Sequence, residues 1–364
     1  MSNKSVMRIL DASLNRAGEG LRVVEDYTRF VLDDPFFTAQ IKSLRHDFAA
    51  AAATISPTDR HTARDTQHDV GTAITTSQEG QRIDAWDVCA ASLKRTEQSL
   101  RSLEEYGKLI DVEFAWRAET LRYRLYTLEK AIEVGRSSGD RLVGVRLCVL
   151  LDACGTDAKF ELSVTALVEA GVGMIQLRDK SLDDRELLAR GRLLRELTRG
   201  SGTLCIINDR ADIAAAVHAD GVHLGQEDLT VKDARIVVGT RMLIGVSTHN
   251  IEQAQAAVLD GANYLGAGPT FASRTKNFDQ FAGLDYLRQA AAEIRLPTFA
   301  IGGITARNLG EVLAAGISRV AVGAAVTAVD KPASAARKIL DMLNDANHMA
   351  AEAATPSKPP APSL

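Results

Sequence analysis

Apolar residues in the first third of the chain recur three and four positions apart. Beyond residue 141 they gather instead into short, near-continuous runs. The first rhythm is that of helices with one buried face, and it predicts helices over roughly 9–32, 36–54, 84–110 and 113–134. Inside the first of these, DASLNRAGEGLRVVEDYTRF (11–30) sets Gly18 and Gly20 at helical positions. Each glycine costs a helix about 1 kcal/mol against alanine, so some packing or binding reason is expected. Between the second and third helices lies the polar stretch SPTDRHTARDTQHDVGTAITTSQEGQR, of a length that is usually functional or disordered. GRSSGD (135–140) supplies Gly and Ser and predicts a linker.

The second rhythm gives eight strand candidates: RLCVLLDA (146–153), GMIQLRDK (173–180), TLCIINDR (203–210), GVHLGQED (221–228), MLIGVSTH (242–249), YLGAGPTF (264–271), PTFAIGGI (297–304) and RVAVGAAV (319–326). Helical segments such as IEQAQAAVLDGA and ARNLGEVLAAGI separate most of them. Apolar strands alternating with helices imply a parallel sheet covered by helices. Eight evenly spaced units favour closure into a (β/α)8 TIM barrel over an open doubly wound sheet. The fold class is therefore α/β, a barrel preceded by an all-α, bundle-like domain. The expected boundaries are 1–137 for the helical domain, 138–346 for the barrel and 347–364 for a Pro/Ala/Ser-rich disordered tail.

The helical part contains a repeat. LNRAGEGLRVVEDYTR (14–29) matches LKRTEQSLRSLEEYGK (93–108) at an offset of 79, sharing Leu14/Leu93, Arg16/Arg95, Leu21/Leu100, Arg22/Arg101, Glu25/Glu104 and Tyr27/Tyr106. KSLRHDF (42–48) and ETLRYRL (119–125) follow at nearly the same offset. Two duplicated helical hairpins predict a pseudo-symmetric four-helix bundle.

A net charge of −4, with neither part basic, argues against a nucleic-acid or anionic-membrane surface. The four cysteines (Cys89, Cys148, Cys154, Cys205) show no CxxC pair or metal spacing and are expected to be buried free thiols in a reducing compartment. The N-terminus lacks a signal-peptide apolar core and no run reaches membrane-spanning length, so a cytoplasmic protein is expected.

In a (β/α)8 barrel the chemistry sits at the C-terminal strand ends, and polar residues gather there in this chain. Asp209 and Asp228 end neighbouring strands and suit Mg²⁺, one ion for the barrel site, a hard cation held by few carboxylates and by substrate phosphates. Arg178, Lys180 and Lys276 supply positive charge, and Ser247, Ser273 and Thr275 supply hydroxyls, as a diphosphate requires. Gly302, Gly303 and Gly323 allow backbone N–H groups to approach a second phosphate. Each feature has an ordinary alternative: an Asp as a turn or cap, a Lys or Ser as solvated loop, Gly-Gly as a tight turn. His223, within an apolar strand, reads as a satisfied core or rim histidine rather than a base. Their coincidence at six of eight strand ends favours one anionic ligand set.

QLRDK, INDR, ADGVHLGQED, IGVSTH, GAGPTFASRTK and AIGGI, in that order and spacing, resemble the thiamine phosphate synthases across residues 142–346. The resemblance implies a barrel that joins a hydroxymethylpyrimidine diphosphate to a thiazole phosphate and releases diphosphate. It implies that Gln176 bonds the pyrimidine, that Arg178, Lys180, Asn208 and Lys276 hold the diphosphate, and that Ser247, Ser273 and Thr275 complete the cradle. Asp209 and Asp228 would bind Mg²⁺; Gly302 or Gly303 and the backbone at Val322 and Gly323 would hold the thiazole phosphate. Ser273 stands where threonine is common, and Gly323 where serine is common. A thiazole tautomerase or regulatory relative, or a non-catalytic sensor, would not need both Asp residues.

RILDASLNRAGEGLRVVEDYTRFVLDD, KSLRHDF and RDTQHDVGT resemble the helical domain fused ahead of some thiamine phosphate synthases, assigned as a second type of hydroxymethylpyrimidine phosphate kinase. That implies ATP as a substrate, although no P-loop or kinase glycine loop is present. Candidates for a phosphotransfer site are Asp11, Asn15, Arg16, Glu19, Arg45, His46, Arg64 and Asp69, with Arg22, Arg29, Glu25 and Asp65 as further charges. The alternatives are helix-surface ion pairs on a domain that only dimerises. Residues missing from the repeat copy, Asn15, Gly18, Glu19 and Gly20, are the better candidates for chemistry. The partners implied are small phosphorylated molecules and further copies of the chain in a homo-oligomer, with no nucleic acid or membrane.

Overall fold

The computed structural model describes residues 3–67, 69, 81–272 and 282–354. The chain divides into two compact units, Met1–Glu133 and Val134–Leu364.

The first unit is helical: α1 (Asn3–Phe30), α2 (Pro35–Ala52), α3 (Pro57–Ala63), α4 (Ala85–Gly107) and the larger part of α5 (Val112–Arg141). Helix α3 occupies part of the stretch expected to be loop. Ser56 caps it by accepting from the Asp59 amide, and Pro57 opens it. On α1 the buried positions Leu10, Leu14, Ala17, Leu21 and Val24 form one stripe, matched on α4 by Leu93, Thr96, Leu100 and Leu103. Ring contact between Tyr27 and Trp86 at 5.6 Å, with Gly20 level with Ser92 and Thr96, shows that α1 and α4 run antiparallel.

The duplication extends to side-chain contacts. Glu25 is held by Arg45 at 2.6 Å, with Arg22 at 3.8 Å, while in the other half Glu104 is held by Arg122 at 2.8 Å and Arg101 at 2.6 Å. Asp34 caps α2 by accepting from the Phe37 amide, and its repeat mate Asp111 accepts from the Phe114 amide. Both phenylalanines are buried.

The second unit is a closed barrel of eight parallel strands in sequence order: β1 (Leu147–Leu151), β2 (Met174–Leu177), β3 (Leu204–Asn208), β4 (Gly221–Leu224), β5 (Leu243–Thr248), β6 (Tyr264–Ala267), β7 (Thr298–Ile301) and β8 (Val320–Val322). Helices α6 (Asp157–Glu169) to α14 (Pro332–Ala354) alternate with them. Side chains alternate across each strand, and one parity packs the interior: Cys148, Met174, Ile206, Leu243, Tyr264, Phe299 and Ala321 form a single core cluster, with Leu142 and Val145 beneath.

Two expectations change. The predicted linker 135–140 is helical, the end of α5, because Ser138 is fully buried, donates to the Val134 carbonyl and accepts from the Asn263 side-chain amide at 2.9 Å. Helix α14 continues to Ala354, into the segment expected to be disordered, since an Ala-rich sequence favours helix until Pro356 approaches. Cys89, Cys148 and Cys205 are buried free thiols whose pKa burial pushes up to about 12, whereas Cys154 is only half-buried. No described helix is long and apolar enough to cross a membrane.

The two helix glycines of α1 separate cleanly. A Cβ on Gly20 would lie 2.1 Å from Thr96 Oγ1 and 3.1 Å from the Ser92 carbonyl, so glycine there lets two helices touch. A Cβ on Gly18 would meet only Phe48, at an ordinary 3.6 Å. Gly20→Ala is expected to destabilise this unit by about 1–3 kcal/mol through overpacking, and Gly18→Ala to stabilise it by about 0.5–1 kcal/mol. Both tryptophans, Trp86 and Trp116, belong to the helical unit, so their fluorescence during urea unfolding of the full chain reads this directly. Shifts of the same sign for the two variants would contradict the assignment.

Candidate functional site

The barrel's interior parity carries the polar candidates to its C-terminal mouth. Two residues beyond Met174 is Gln176, two beyond Ile206 is Asn208, and four beyond Leu243 is Ser247, so all three share the core-facing side of their strands. Gln176 is buried, while Asn208 and Ser247 are partly open. Arg178 and Lys180 follow β2 directly. The turn that carries them is organised by Asp179, whose carboxylate accepts from the Ser181 hydroxyl (2.6 Å) and amide (2.9 Å) and from the Ala153 amide (3.1 Å). The Ser181 hydroxyl bond, joined by these amides, holds Asp179 below its usual pKa. Sequence reading gave Asp179 no role; an Asp two residues ahead of a Ser is the turn signal that marks it.

Asp209 follows β3 with φ +61°, a left-handed conformation uncommon outside glycine and tolerated by Asp. Its amide donates to the His223 carbonyl at 2.7 Å. Burial, and then the adjacent Asp228 carboxylate, push the Asp209 pKa up against the opposing effect of Lys180, whose Nζ lies 3.5 Å from Oδ2. Asp228 is turned toward the strand end by the Gly225 amide, which donates to its Oδ2 at 2.6 Å. Asp209, whose ionisation burial and the neighbouring carboxylate disfavour, forms with Asp228 a donor set suited to a cation, with one ammonium alongside. Among the described residues no group of three or more His, Cys, Asp or Glu is placed to hold a metal. Two carboxylates are a donor set of the kind a hard cation uses when water and substrate phosphates complete its shell.

His223 is buried in the interior, with Nε2 2.9 Å from Ser247 Oγ and Nδ1 3.2 Å from the Tyr264 hydroxyl. Burial pushes its pKa down to about 4, so the ring is neutral at physiological pH and only weakly basic. This is the satisfied histidine that the apolar strand suggested, although it touches the site.

Gly302 (φ +102°) and Gly303 (φ +63°) follow β7 in backbone conformations that disfavour side chains. A Cβ on Gly303 would also lie 2.5 Å from the Ala272 carbonyl, so this turn supports the segment after β6 as well as edging the mouth. Val322 ends β8, and Gly323 leads directly into the four-residue helix α13 (Ala324–Thr327). Ser273, Thr275 and Lys276 lie outside the described residues. A cavity of about 790 Å³ beside α6 and α7 (Asp184–Thr198), lined by Asp152, Cys154, Asp179, Arg190 and Arg192, contains none of the candidate residues.

In the helical unit the candidates separate. Arg64 grips buried Asp11 with both arms, Nε at 2.7 Å and Nη2 at 2.9 Å, and Arg8 donates to the Asp65 carbonyl at 3.2 Å, so the segment after α3 is tied to the first half of α1. That hydrogen bond and the charge of Asp11 raise the Arg64 pKa. Asn15, Arg16 and Glu19 lie exposed on α1, His46 on α2, and Asp69 is exposed beyond Arg64. Arg45 instead pairs with Glu25 as Arg122 does with Glu104, which marks it as part of the duplicated scaffold. Sequence reading missed a second unrepeated feature: Glu97 on α4 is buried, and Lys94 Nζ bridges it (3.1 Å) to Glu129 on α5 (2.7 Å). The repeat mates of Lys94 and Glu97 are Asn15 and Gly18, so helical spacing alone makes this cluster look like a surface ion pair.

Comparisons with known proteins follow the same division. A family described as thiamine monophosphate synthase matches residues 147–326, and the ThiD2 family matches residues 8–131. The thiamine-phosphate synthase of Rhodopirellula baltica is 45% identical over 354 residues, spanning 94% of this chain and 94% of the relative. That of Synechocystis sp. is 41% identical over 347 residues, spanning 95% of this chain and 98% of the relative. Among solved structures, thiamine phosphate pyrophosphorylase from Pyrococcus furiosus superposes with a TM-score of 0.51 at 34% identity, covering 56% of this chain and 96% of that one.

Burial, and then the Glu129 carboxylate, raise the Glu97 pKa from 4.5 to about 7. The folded state thus holds this proton more tightly than the unfolded chain does. Stability of the helical unit therefore falls as pH rises from about 4.5 to about 7 and stays lower above. Glu97→Gln, a mimic of the protonated form, is expected to raise the urea midpoint of the tryptophan signal at pH 8 and to change it little at pH 5. An equal effect at both pH values would exclude this ionisation.

Proposed function

The chain belongs to the thiamine-phosphate synthase family, and we propose that its barrel condenses 4-amino-2-methyl-5-(diphosphomethyl)pyrimidine with thiazole phosphate to give thiamine phosphate and diphosphate. The observation that carries this reading is the convergence at one barrel mouth of the Asp209–Asp228 carboxylate pair with Lys180 and the inward-facing Gln176, Asn208 and Ser247. Gln176, buried and core-facing, suits recognition of the uncharged pyrimidine by hydrogen bonds. Arg178 and Lys180, on the turn fixed by Asp179, suit the diphosphate, with Asn208 and Ser247 adding polar contacts and Ser273, Thr275 and Lys276 assigned from the family pattern. Asp209 and Asp228 would hold Mg²⁺, which when bound supplies charge neutralisation to the diphosphate. The turn at Gly302 and Gly303, with Val322 and Gly323 ahead of the short helix α13, suits the thiazole phosphate, a common phosphate position in this fold.

The reaction breaks the bond between the pyrimidine methylene and the diphosphate oxygen and forms one from the thiazole nitrogen to that methylene. The electron-rich aminopyrimidine can carry the positive charge left on the methylene. The protein's part is to place fixed positive charge where negative charge accumulates on the leaving group. No nucleophilic side chain is required.

The ThiD2 match of the helical unit supports a kinase role for it, phosphorylation of hydroxymethylpyrimidine phosphate by ATP, which would produce the substrate that the barrel consumes. The unrepeated residues Asn15 and Glu19, with Asp11, Arg16, Arg64 and Asp69, are the candidate region, since the first half of α1 is where the segment after α3 is tied down by ion pairing.

Purified full-length protein supplied with both phosphorylated substrates and Mg²⁺ should release diphosphate. Asp209→Ala should lower kcat/KM by about 10²-fold or more, and a folded protein with no synthase activity would refute the assignment. Supplied instead with the pyrimidine monophosphate, ATP and thiazole phosphate, the parent should still form thiamine phosphate. Asn15→Ala should abolish that coupled reaction and leave the diphosphate-fed reaction unchanged. An N15A protein equal to the parent in both assays would move the kinase site away from α1.

A further inference from the structure

Ser247 sits at the end of a buried hydrogen-bond chain that the condensation itself does not explain. Tyr264, 2% exposed, lies one layer below the mouth. Its hydroxyl is 3.2 Å from His223 Nδ1, and His223 Nε2 is 2.9 Å from Ser247 Oγ. Both rings are wedged in place. The Tyr264 ring packs edge-on against Phe299 with centroids 5.7 Å apart, and it occupies the space over Gly245, where a Cβ would lie 2.1 Å from Cζ. The His223 ring covers Gly266, where a Cβ would approach Cε1 at 3.1 Å. Small residues at two interior positions of adjacent strands thus make room for two polar rings in a layer that an ordinary barrel fills with branched aliphatics.

The chain has a direction. A buried tyrosine hydroxyl has one proton to donate, and among the described residues its hydrogen-bond partner is His223 Nδ1. With Nδ1 accepting, the imidazole proton is on Nε2 and is donated to Ser247 Oγ. One of the serine's two lone pairs is then occupied from inside the barrel, and its own proton is not spent on His223 and is left for a partner at the mouth. An unanchored serine could spend its proton on the imidazole; an anchored one keeps it available as a donor, which is what an anionic substrate oxygen requires.

We propose that Tyr264 and His223 are positioning residues that hold the Ser247 hydroxyl as a fixed donor to an anionic oxygen of the diphosphate substrate. This rests on the reading that Ser247 belongs to the substrate site, and the two can fail separately. Steady-state kinetics on folded full-length variants separate them. Ser247→Ala is expected to lower kcat/KM about tenfold, the loss of one hydrogen bond to a charged group. Tyr264→Phe keeps the ring and removes the hydroxyl proton, and it should cost about threefold through Ser247 alone. The double variant should therefore be no worse than Ser247→Ala, since residues acting through one another are non-additive. His223→Gln, whose amide can still donate to Ser247, should retain more activity than His223→Leu.

Selective ¹⁵N labelling of the seven histidines, with the His223 signal identified by its loss in His223→Gln, gives a readout independent of activity. The parent should show an unprotonated Nδ1 and a protonated Nε2, and Tyr264→Phe should shift that tautomer balance. Multiplicative losses in the double variant, or a protonated Nδ1 in the parent, would overturn the positioning role. A fully active Ser247→Ala would instead remove Ser247 from the site.

Discussion

Closing eight parallel strands into one barrel forces every second side chain into a space that must be filled. Most other features of the second unit follow from that constraint. Near the N-terminal ends of the strands the space is filled by Cys148, Met174, Ile206, Leu243, Tyr264, Phe299 and Ala321. Toward the C-terminal ends the same parity passes to Gln176, Asn208, His223 and Ser247. The polar site is therefore not laid on top of the core. It is the last layer of the core, and its hydrogen bonds run down into the apolar layers through Tyr264. Burial that neutralises His223 and raises Asp209 comes from this arrangement, because groups at the edge of a packed interior lose water on one side.

The helical unit is built on a different constraint, the repetition of one hairpin. Glu25 with Arg45, and Glu104 with Arg122, occupy equivalent positions, as do the caps Asp34 and Asp111. Departures from the repeat are then informative. Gly20, where the copy has Ser99, lets α1 approach α4. Gly18, where the copy has Glu97, has no such contact, and Glu97 itself brings a buried carboxyl next to Glu129. A glycine pair that looked like one feature along the chain thus has two explanations. One member is accounted for by helix packing, while the other leaves the Asn15–Glu19 surface open to solvent.

Helix and strand periodicity, the eightfold rhythm after residue 141, the internal repeat and the order of polar residues at strand ends were all readable from the chain. They are local or periodic, and hydrophobic spacing reports them without knowledge of neighbours. The helical nature of 135–140 was not readable, because it depends on Ser138 meeting Asn263, 125 residues away in sequence. The scaffold role of Arg45 was hidden for the same reason: an arginine on a helix face looks alike whether it holds a ligand or Glu25. Asp179 lay in plain view between two recognised cations, yet its role appeared only when its carboxylate was seen bracing Ala153 as well as Ser181.

The sequence by itself determined the two fold classes, the identity of the polar residues at each strand end, and through their pattern the family. Tertiary structure alone decided which of those residues meet: Asp209 with Asp228 and Lys180, His223 with both Ser247 and Tyr264, and Asp11 with Arg64. The physical reason is that periodicity is set by each element's own geometry. Charge coupling, proton direction and close approach depend on distances of about 3 Å between elements far apart in the chain, and only the closed barrel and the packed helices set those.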